Sequence, residues 1–76
     1  MEWQKYITAD PAVLVGKPVI KDTRIFVELV LECLARGWSI DEFLQQYPHV
    51  PREGVIACLD YARDLVSSET VTTQQQ

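Results

Sequence analysis

Three amphipathic segments, separated by glycine and proline, constrain the fold of this chain more than any other feature. Over the C-terminal two thirds, apolar residues recur at the three- and four-residue spacing of a helix. Gly37 is the expected end of the first helix, and Ser39 with Glu42 has the spacing of a capping box that begins the second. Pro48 ends the second helix and Pro51 opens the third. The pattern predicts three short helices with small linkers, the skeleton of helix-turn-helix and homeodomain-like domains.

Each predicted helix has an apolar face that we expect to pack in the core. In the first two helices this face contains Leu29, Val30, Cys33, Leu34, Ile40, Phe43, Leu44 and Tyr47. In the third it contains Val55, Leu59, Ala62 and Val66, widened by Ile56 and Cys58. The predicted outward residues of the third helix are Arg52, Glu53, Ala57, Asp60 and Asp64. Gly54 lowers helix propensity, which predicts a close helix crossing at that position.

The first 26 residues are rich in turn formers and predict two or three short β-strands before the helices. Trp3, Tyr6 and Ile7 mix aromatic and β-branched side chains as a strand does, and so do Val19 and Ile20. Short strands leave unpaired edges, which invite pairing with a second chain. We expect a mainly α fold with a single domain over residues 1–66. A polar, disordered tail is expected over residues 67–76.

The size of the chain favours association with another protein. A domain of 76 residues has a thin stability margin, and such domains usually add a disulfide, a metal or a partner subunit. Cys33 and Cys58 lie in apolar helical segments without the paired spacing of a zinc site, and His49 is remote from both. We therefore predict no metal, no cofactor and no disulfide framework, and we expect a homodimer or a protein partner.

The charge distribution argues against a dedicated nucleic-acid binder. Residues 1–26 have a net charge of +1, from Lys5, Lys17, Lys21 and Arg24 against Glu2, Asp10 and Asp22. Residues 27–76 carry three arginines and eight acids, a net charge of −5, so the whole chain has a net charge of −4. A nucleic-acid binder usually has a basic patch or a high isoelectric point. No signal peptide, membrane span or catalytic set is visible, so we expect a cytoplasmic, non-enzymatic protein without membrane association or small-molecule substrate.

Residues 16–25 form the most distinctive segment, because they concentrate cations and a hydroxyl between a glycine and an apolar run. The segment lacks the second glycine and the Lys-Ser/Thr pair of a phosphate-binding P-loop. Two interpretations remain open: a structural β-turn-β element, and a surface that contacts a partner or a second copy. The interface candidates, with the aromatic residues of the N-terminal strand, are Trp3, Tyr6, Gly16, Lys17, Pro18, Thr23 and Arg24.

A helix-turn-helix core also raises the alternative of a DNA-binding regulator. The third helix would then enter the major groove, with phosphate contacts from Lys17, Lys21, Arg24 and Arg52. Its outward face has one arginine among several acids, which is a poor match to the Arg, Lys, Asn and Gln that read bases. Fold alone does not decide function, so DNA binding is the alternative and not the leading hypothesis.

Five sequence runs together resemble the bacterial family known as domain of unknown function 433. They are Ile7-Thr-Ala-Asp-Pro11, Gly16-Lys-Pro-Val-Ile-Lys-Asp-Thr-Arg-Ile25, Leu34-Ala-Arg-Gly37-Trp-Ser39-Ile-Asp-Glu42, Tyr47-Pro48 and Ala57-Cys-Leu-Asp-Tyr-Ala62. The resemblance spans residues 4–66 and implies a homeodomain-like fold. Members of that family often occur as the antitoxin-like partner of a PIN-like nuclease. The resemblance therefore implies a role in a toxin–antitoxin system, in which the chain neutralises such a nuclease.

The chain departs from the family pattern at three positions. Asp22 stands where the family usually has glycine, Phe26 where it usually has proline, and Val50 where it often has a serine or threonine cap. Valine cannot cap a helix through its side chain. These departures leave the predicted fold intact and affect only the geometry of the turns.

Overall fold

The fold is mainly α, with a short two-stranded sheet before three helices, as the sequence predicts. The computed structural model describes residues 1–12 and 16–68. Its elements are a 3₁₀ turn (Trp3–Lys5), β1 (Ile7–Thr8), β2 (Val19–Ile20), α1 (Val27–Ala35), α2 (Ile40–Gln46) and α3 (Arg52–Ser68). α3 extends two residues beyond the predicted domain boundary at Val66. The remainder of the predicted tail lies outside the described residues. None of the described helices is long and apolar enough to cross a membrane.

The N-terminal strand is shorter than the prediction, because the residues around Trp3 form a turn. The Tyr6 amide donates to the Trp3 carbonyl at 2.8 Å, which closes a 3₁₀ turn and leaves only Ile7 and Thr8 extended. β1 and β2 pair antiparallel, with Ile7 opposite Ile20. An isolated bridge between Val19 and Phe26 adds one further pairing. The prediction of a strand that includes Trp3 is therefore wrong for residues 3–6 and correct at Ile7.

The turn between β2 and α1 is held by a threonine and requires one residue in a left-handed conformation. The Thr23 hydroxyl donates to the Ile20 carbonyl at 2.7 Å and accepts from the Ile25 amide at 3.0 Å. Asp22 has φ 63°, a region that non-glycine residues occupy only at a cost. Asp and Asn tolerate this conformation better than other side chains, so aspartate can replace the family's glycine here.

This geometry predicts that Asp22→Val lowers the free energy of unfolding by about 1–2 kcal/mol, because a β-branched residue is strained at positive φ. Asp22 is exposed, so the substitution removes no core contact. Urea unfolding followed by circular dichroism would measure the loss. Asp22→Gly and Asp22→Asn are the controls, and both should match or exceed the wild-type stability. A wild-type stability for Asp22→Val would contradict the assigned turn.

The ends of α1 and α2 follow the capping signals in the sequence. Gly37 has φ 100°, and the Trp38 amide donates to the Cys33 carbonyl at 3.1 Å while the Gly37 amide donates to Leu34 at 3.0 Å. These two bonds form a Schellman motif, which satisfies carbonyls that the helix end leaves unpaired. The Ser39 hydroxyl accepts from the Glu42 amide at 3.0 Å, and the Glu42 carboxylate accepts from the Ser39 amide at 2.7 Å. The predicted capping box is confirmed.

The core contains apolar residues from both strands and all three helices. Its fully or nearly fully buried members are Ile7, Val19, Ile20, Val27, Val30, Cys33, Phe43, Val50, Val55, Ala57 and Cys58. Phe43 stacks on Tyr47, with ring centroids 4.7 Å apart, and lies 6.4 Å from Trp38. Burial of Val50 explains its presence at the position where the family often has a polar cap: its side chain packs in the core.

The predicted core face of α3 is wrong on one side. Leu59 is 42% exposed and Val66 is 63% exposed, although the apolar pattern placed both inside. Ala57, predicted to point outward, is fully buried. The buried residues of α3 are Gly54, Val55, Ala57 and Cys58, and the helix packs against the 3₁₀ turn, β1, α1 and α2. Periodicity locates an apolar stripe, but it cannot show where a distant segment will pack.

Gly54 permits a close approach, though to a strand and not to a second helix. A Cβ atom at this position would lie 3.3 Å from Cγ2 of Ile20 in β2. The predicted helix crossing is therefore replaced by contact between α3 and the sheet.

Candidate functional site

An apolar groove between α1 and α3 is the candidate functional site. We call it the α1–α3 groove, and it is lined by Lys17, Pro18, Phe26, Val27, Glu28, Leu31, Tyr61 and Leu65. Its volume is about 370 Å³. Six of these eight side chains are apolar or aromatic, and the two charged ones are Lys17 and Glu28. A smaller depression of about 210 Å³ lies beside Trp38 and α2, and its lining is mostly polar.

The groove is shaped by the chain's path from β2 into α1 and by the last turns of α3. The Val27 amide donates to the Pro18 carbonyl at 3.0 Å, which holds the segment before β2 against the start of α1. Leu31 lies one turn after Val27 in α1, and Leu65 lies one turn after Tyr61 in α3, so each pair shares one helix face. Leu65 is 49% exposed, which leaves the groove open to solvent.

The charged groups of the groove neutralise each other at its edge. The Lys17 ammonium lies 3.2 Å from a Glu28 carboxylate oxygen and 5.6 Å from the centre of the Phe26 ring. Both charged side chains are more than half exposed, so this ion pair contributes little to stability. Because the two charged groups pair with each other, the described lining of the groove contains no unpaired charge.

Trp3 packs against one side of α3, where it contacts Tyr61 and Asp64. The Trp3 indole nitrogen donates to an Asp64 carboxylate oxygen at 3.0 Å. The Trp3 ring also meets Tyr61 edge to face, with centroids 4.8 Å apart and planes at 81°. Trp3, predicted as an exposed interface residue at a strand edge, is half-buried against α3. It orients Tyr61, and so it shapes the α1–α3 groove indirectly.

The other interface candidates have separate roles in the structure. Lys17 and Pro18 line the α1–α3 groove. Gly16 has φ 79° and packs near Pro11, which makes it a turn residue. Thr23 uses its hydroxyl for the internal turn before α1, as in the purely structural interpretation of residues 16–25.

The remaining candidates divide between core edge and surface. Tyr6 is half-buried against the core, and Arg24 is exposed. Within residues 16–25, Gly16 and Thr23 are turn residues and Lys17 and Pro18 line the α1–α3 groove, whereas contact with a partner stays a prediction.

The candidate DNA contacts are distributed over different elements. Lys17 pairs with Glu28 in the first turn of α1, and Arg52 pairs with Asp41 in the first turn of α2. Lys21 and Arg24 are exposed in the turn after β2 and form no ion pair within the described part of the chain. Lys17 and Arg52, two of the four proposed phosphate contacts, therefore already form ion pairs with carboxylates.

Sequence reasoning missed six residues that line the groove, namely Phe26, Val27, Glu28, Leu31, Tyr61 and Leu65. The available signal was that Leu31, Tyr61 and Leu65 are large apolar or aromatic residues outside every predicted core face. An apolar helix residue without a place in the core is a candidate contact for something else. Nothing in the sequence shows that α1 and α3 bring these residues together.

The described cysteines and acids do not assemble a reactive or metal-binding centre. Cys33 and Cys58 are both buried and form no disulfide. Burial raises the pKa of the Cys58 thiol from 9.0 to about 12. The thiol is therefore protonated at neutral pH, whereas nucleophilic and metal-binding cysteines act as thiolates. Within residues 1–12 and 16–68 no three His, Cys, Asp or Glu side chains are placed to hold a metal ion.

Comparison with known proteins identifies a family for nearly the whole described chain. A family model described as "Protein of unknown function (DUF433)" matches residues 7–62. The match begins in β1 and ends in the middle of α3, so it includes every element that lines the groove except the last turns of α3. No curated protein and no solved structure gives a significant match.

Proposed function

The chain belongs to the DUF433 family, and from this premise we propose that it is a non-enzymatic, antitoxin-like module that dimerises and neutralises a PIN-like nuclease. The observation that carries the proposal is the α1–α3 groove, an uncovered apolar surface on two acidic helices. Apolar surface in a groove with a polar edge is typical of protein–protein contact sites. The alternative is a DNA-binding transcriptional regulator built on the same helix-turn-helix core.

Charge complementarity favours a nuclease as the partner. A nuclease binds a polyanion, so its nucleic-acid cleft is basic. Within their bounds, α1 and α3 carry five carboxylates against two arginines, and Lys17 and Arg36, which lie just outside these bounds, pair with Glu28 and Glu32, so the net charge of this surface is −1. An acidic surface that covers a basic cleft both steers association and excludes nucleic acid from the cleft. This is the action required of a neutralising antitoxin.

Dimerisation is supported by the incomplete sheet. β1 pairs only with β2 among the described strands, and we expect a second chain to pair with its other edge. The small size of the domain makes the same association favourable, because a second copy would bury surface that one copy cannot.

The DNA alternative rests on Lys21 and Arg24, the two exposed cations after β2 that have no carboxylate partner among the described residues. It requires binding that weakens steeply with salt, because cations displace counterions from phosphates. Absence of a gel shift on the protein's own promoter at low salt would remove this alternative. Antitoxins can combine both activities, so DNA binding alone would not contradict the leading proposal.

Co-expression with the product of the neighbouring gene tests whether the chain neutralises a PIN-like nuclease. We expect the wild-type chain to restore growth and to co-purify with the nuclease. Glu32→Lys with Glu53→Lys should slow association about tenfold at low salt, because it reverses charges on the acidic helices.

Glu2→Lys with Asp10→Lys is the matched control, since it makes the same change in net charge outside the helices and should have a smaller effect. The proposal is wrong if the wild-type chain neither binds the nuclease nor restores growth.

A further inference from the structure

We propose that residues 1–5 form a latch that detaches from α3 while the rest of the domain stays folded, and that this latch controls how freely Tyr61 moves. The latch contains the 3₁₀ turn, and the Trp3 side chain anchors it to α3. The inference concerns contacts within one chain, so it goes beyond the proposed function and does not depend on it. Three observations carry it: the local main-chain bonding of the latch, its exposed side chains, and the two contacts that Trp3 makes with α3.

The main-chain hydrogen bonds of the latch join residues within the same turn. The Lys5 amide donates to the Glu2 carbonyl at 3.2 Å, and the Tyr6 amide donates to the Trp3 carbonyl at 2.8 Å. Tyr6 also begins the attachment to the sheet, because its carbonyl accepts from the Lys21 amide at 2.8 Å. The turn can therefore move away from α3 as a unit and keep the main-chain bonds that the structure describes for it.

Burial changes sharply between the latch and β1. Four of the five side chains of the latch are exposed, and the fifth, Trp3, is half-buried. Ile7 in β1 is only 4% exposed and belongs to the core. A segment with few buried apolar groups opens at a lower free energy than the core does. The boundary between the part that opens and the part that stays folded accordingly lies at Tyr6.

Trp3 anchors the latch through two contacts with one face of α3. Its indole nitrogen donates to an Asp64 carboxylate oxygen at 3.0 Å, in a hydrogen bond that is exposed to solvent. Its ring meets Tyr61 edge to face, with centroids 4.8 Å apart. Water competes for an exposed hydrogen bond, so the net contribution of this bond to stability is small. The two contacts hold the latch closed in the native state and release it at a lower free energy than global unfolding requires.

Tyr61 links the latch to the α1–α3 groove. Its ring receives the edge of Trp3 and also lines the groove. When the latch is closed, Trp3 covers one side of the Tyr61 ring and restricts its rotation. When the latch opens, that side becomes accessible to solvent and the ring can change its orientation. The shape of the groove thus depends on a residue at the opposite end of the chain.

Hydrogen exchange at the Trp3 indole N–H tests whether the latch detaches on its own. We expect this proton to exchange about tenfold more slowly than in an unstructured peptide, because Asp64 accepts it in the closed latch. Its rate should not change with urea below the unfolding transition, since opening five residues exposes little surface. The amides of Val55 and Cys58, which are fully buried, should exchange more slowly and accelerate with urea. Acceleration of the Trp3 proton in parallel with these amides, or exchange at the peptide rate, would overturn the inference.

Two exposed carboxylates of α3 provide matched variants for the anchor. Asp64 accepts from Trp3, whereas Glu53 lies three turns earlier in the same helix. Asp64→Ala should remove most of the protection of the Trp3 indole proton, and Glu53→Ala should leave it unchanged. Circular dichroism should show the same helix content in both variants. Equal protection in the two variants would mean that Asp64 does not fasten the latch.

Nitration by tetranitromethane tests the control of Tyr61, with Tyr47 as the reference within the same chain. Tyr47 stacks on Phe43 and is not part of the Trp3 contact. Trp3→Ala should raise the nitration rate of Tyr61 about threefold, because it exposes one side of the ring, and should leave that of Tyr47 unchanged. An unchanged rate at Tyr61 would show that the latch does not control this residue. Unfolding of the Trp3→Ala variant would also overturn the inference, since the rest of the domain would then require the latch.

Discussion

Replacing Phe43 by alanine is expected to lower the free energy of unfolding by about 3–5 kcal/mol, the range for removing a large aromatic side chain from a core. Phe43 is fully buried at the centre of the three helices and stacks on Tyr47. Domains of this size have total stabilities of only about 4–11 kcal/mol. The substitution should therefore leave a substantial unfolded fraction near body temperature, and circular dichroism with urea titration would measure it.

Two further substitutions test whether the loss comes from burial. Phe43→Leu keeps most of the buried volume and should cost about 1–2 kcal/mol. Phe26→Ala removes the same atoms from a half-buried position at the groove edge, so about half the loss is expected. If Phe43→Ala and Phe26→Ala were equally destabilising, the assigned position of α2 in the core would be wrong.

The stability of the protein is expected to fall steeply above pH 9 because of one buried thiol. Cys58 is fully buried, and burial raises its pKa from 9.0 to about 12. The unfolded chain therefore releases this proton first, and the stabilisation present below pH 9 is lost as the pH rises toward 12. Between these values the loss is about 1.4 kcal/mol per pH unit, or roughly 4 kcal/mol in total.

Urea midpoints measured from pH 7 to pH 11 for the wild type and its variants would show this dependence. Cys58→Ala should be less stable at pH 7 because it leaves a cavity, but it should lose stability less steeply above pH 9. Val30→Ala is the matched control, since it also leaves a cavity in the core but removes no titratable group, and it should retain the wild-type slope. Identical slopes for the three proteins would contradict the assigned environment of Cys58.

The α1–α3 groove was only partly predictable from the sequence. Lys17 and Pro18 were singled out by the composition of residues 16–25, and both line the groove. Leu31 and Leu65 could be recognised only as apolar residues without a core position. Their meeting depends on the angle at which α1 crosses α3, which arises from packing and has no local sequence signal.

Other residues of the same segment proved to be structural. Thr23 holds the turn before α1, and Gly16 is a left-handed turn residue. A cluster of polar and cationic residues in a sequence does not distinguish a turn from a binding site, because both favour glycine, threonine and charged side chains on a surface.

The sequence by itself determined the number of helices and most of their ends. The Ser39–Glu42 capping box and the Gly37 stop use atoms within a few residues of each other, so no distant contact can change them readily. Only the tertiary structure decided which side of α3 is buried. That choice depends on contacts between segments that are distant in the sequence, because α3 packs against the 3₁₀ turn, β1, α1 and α2. In this packing Val55, Ala57 and Cys58 are buried, whereas Leu59 and Val66 are exposed.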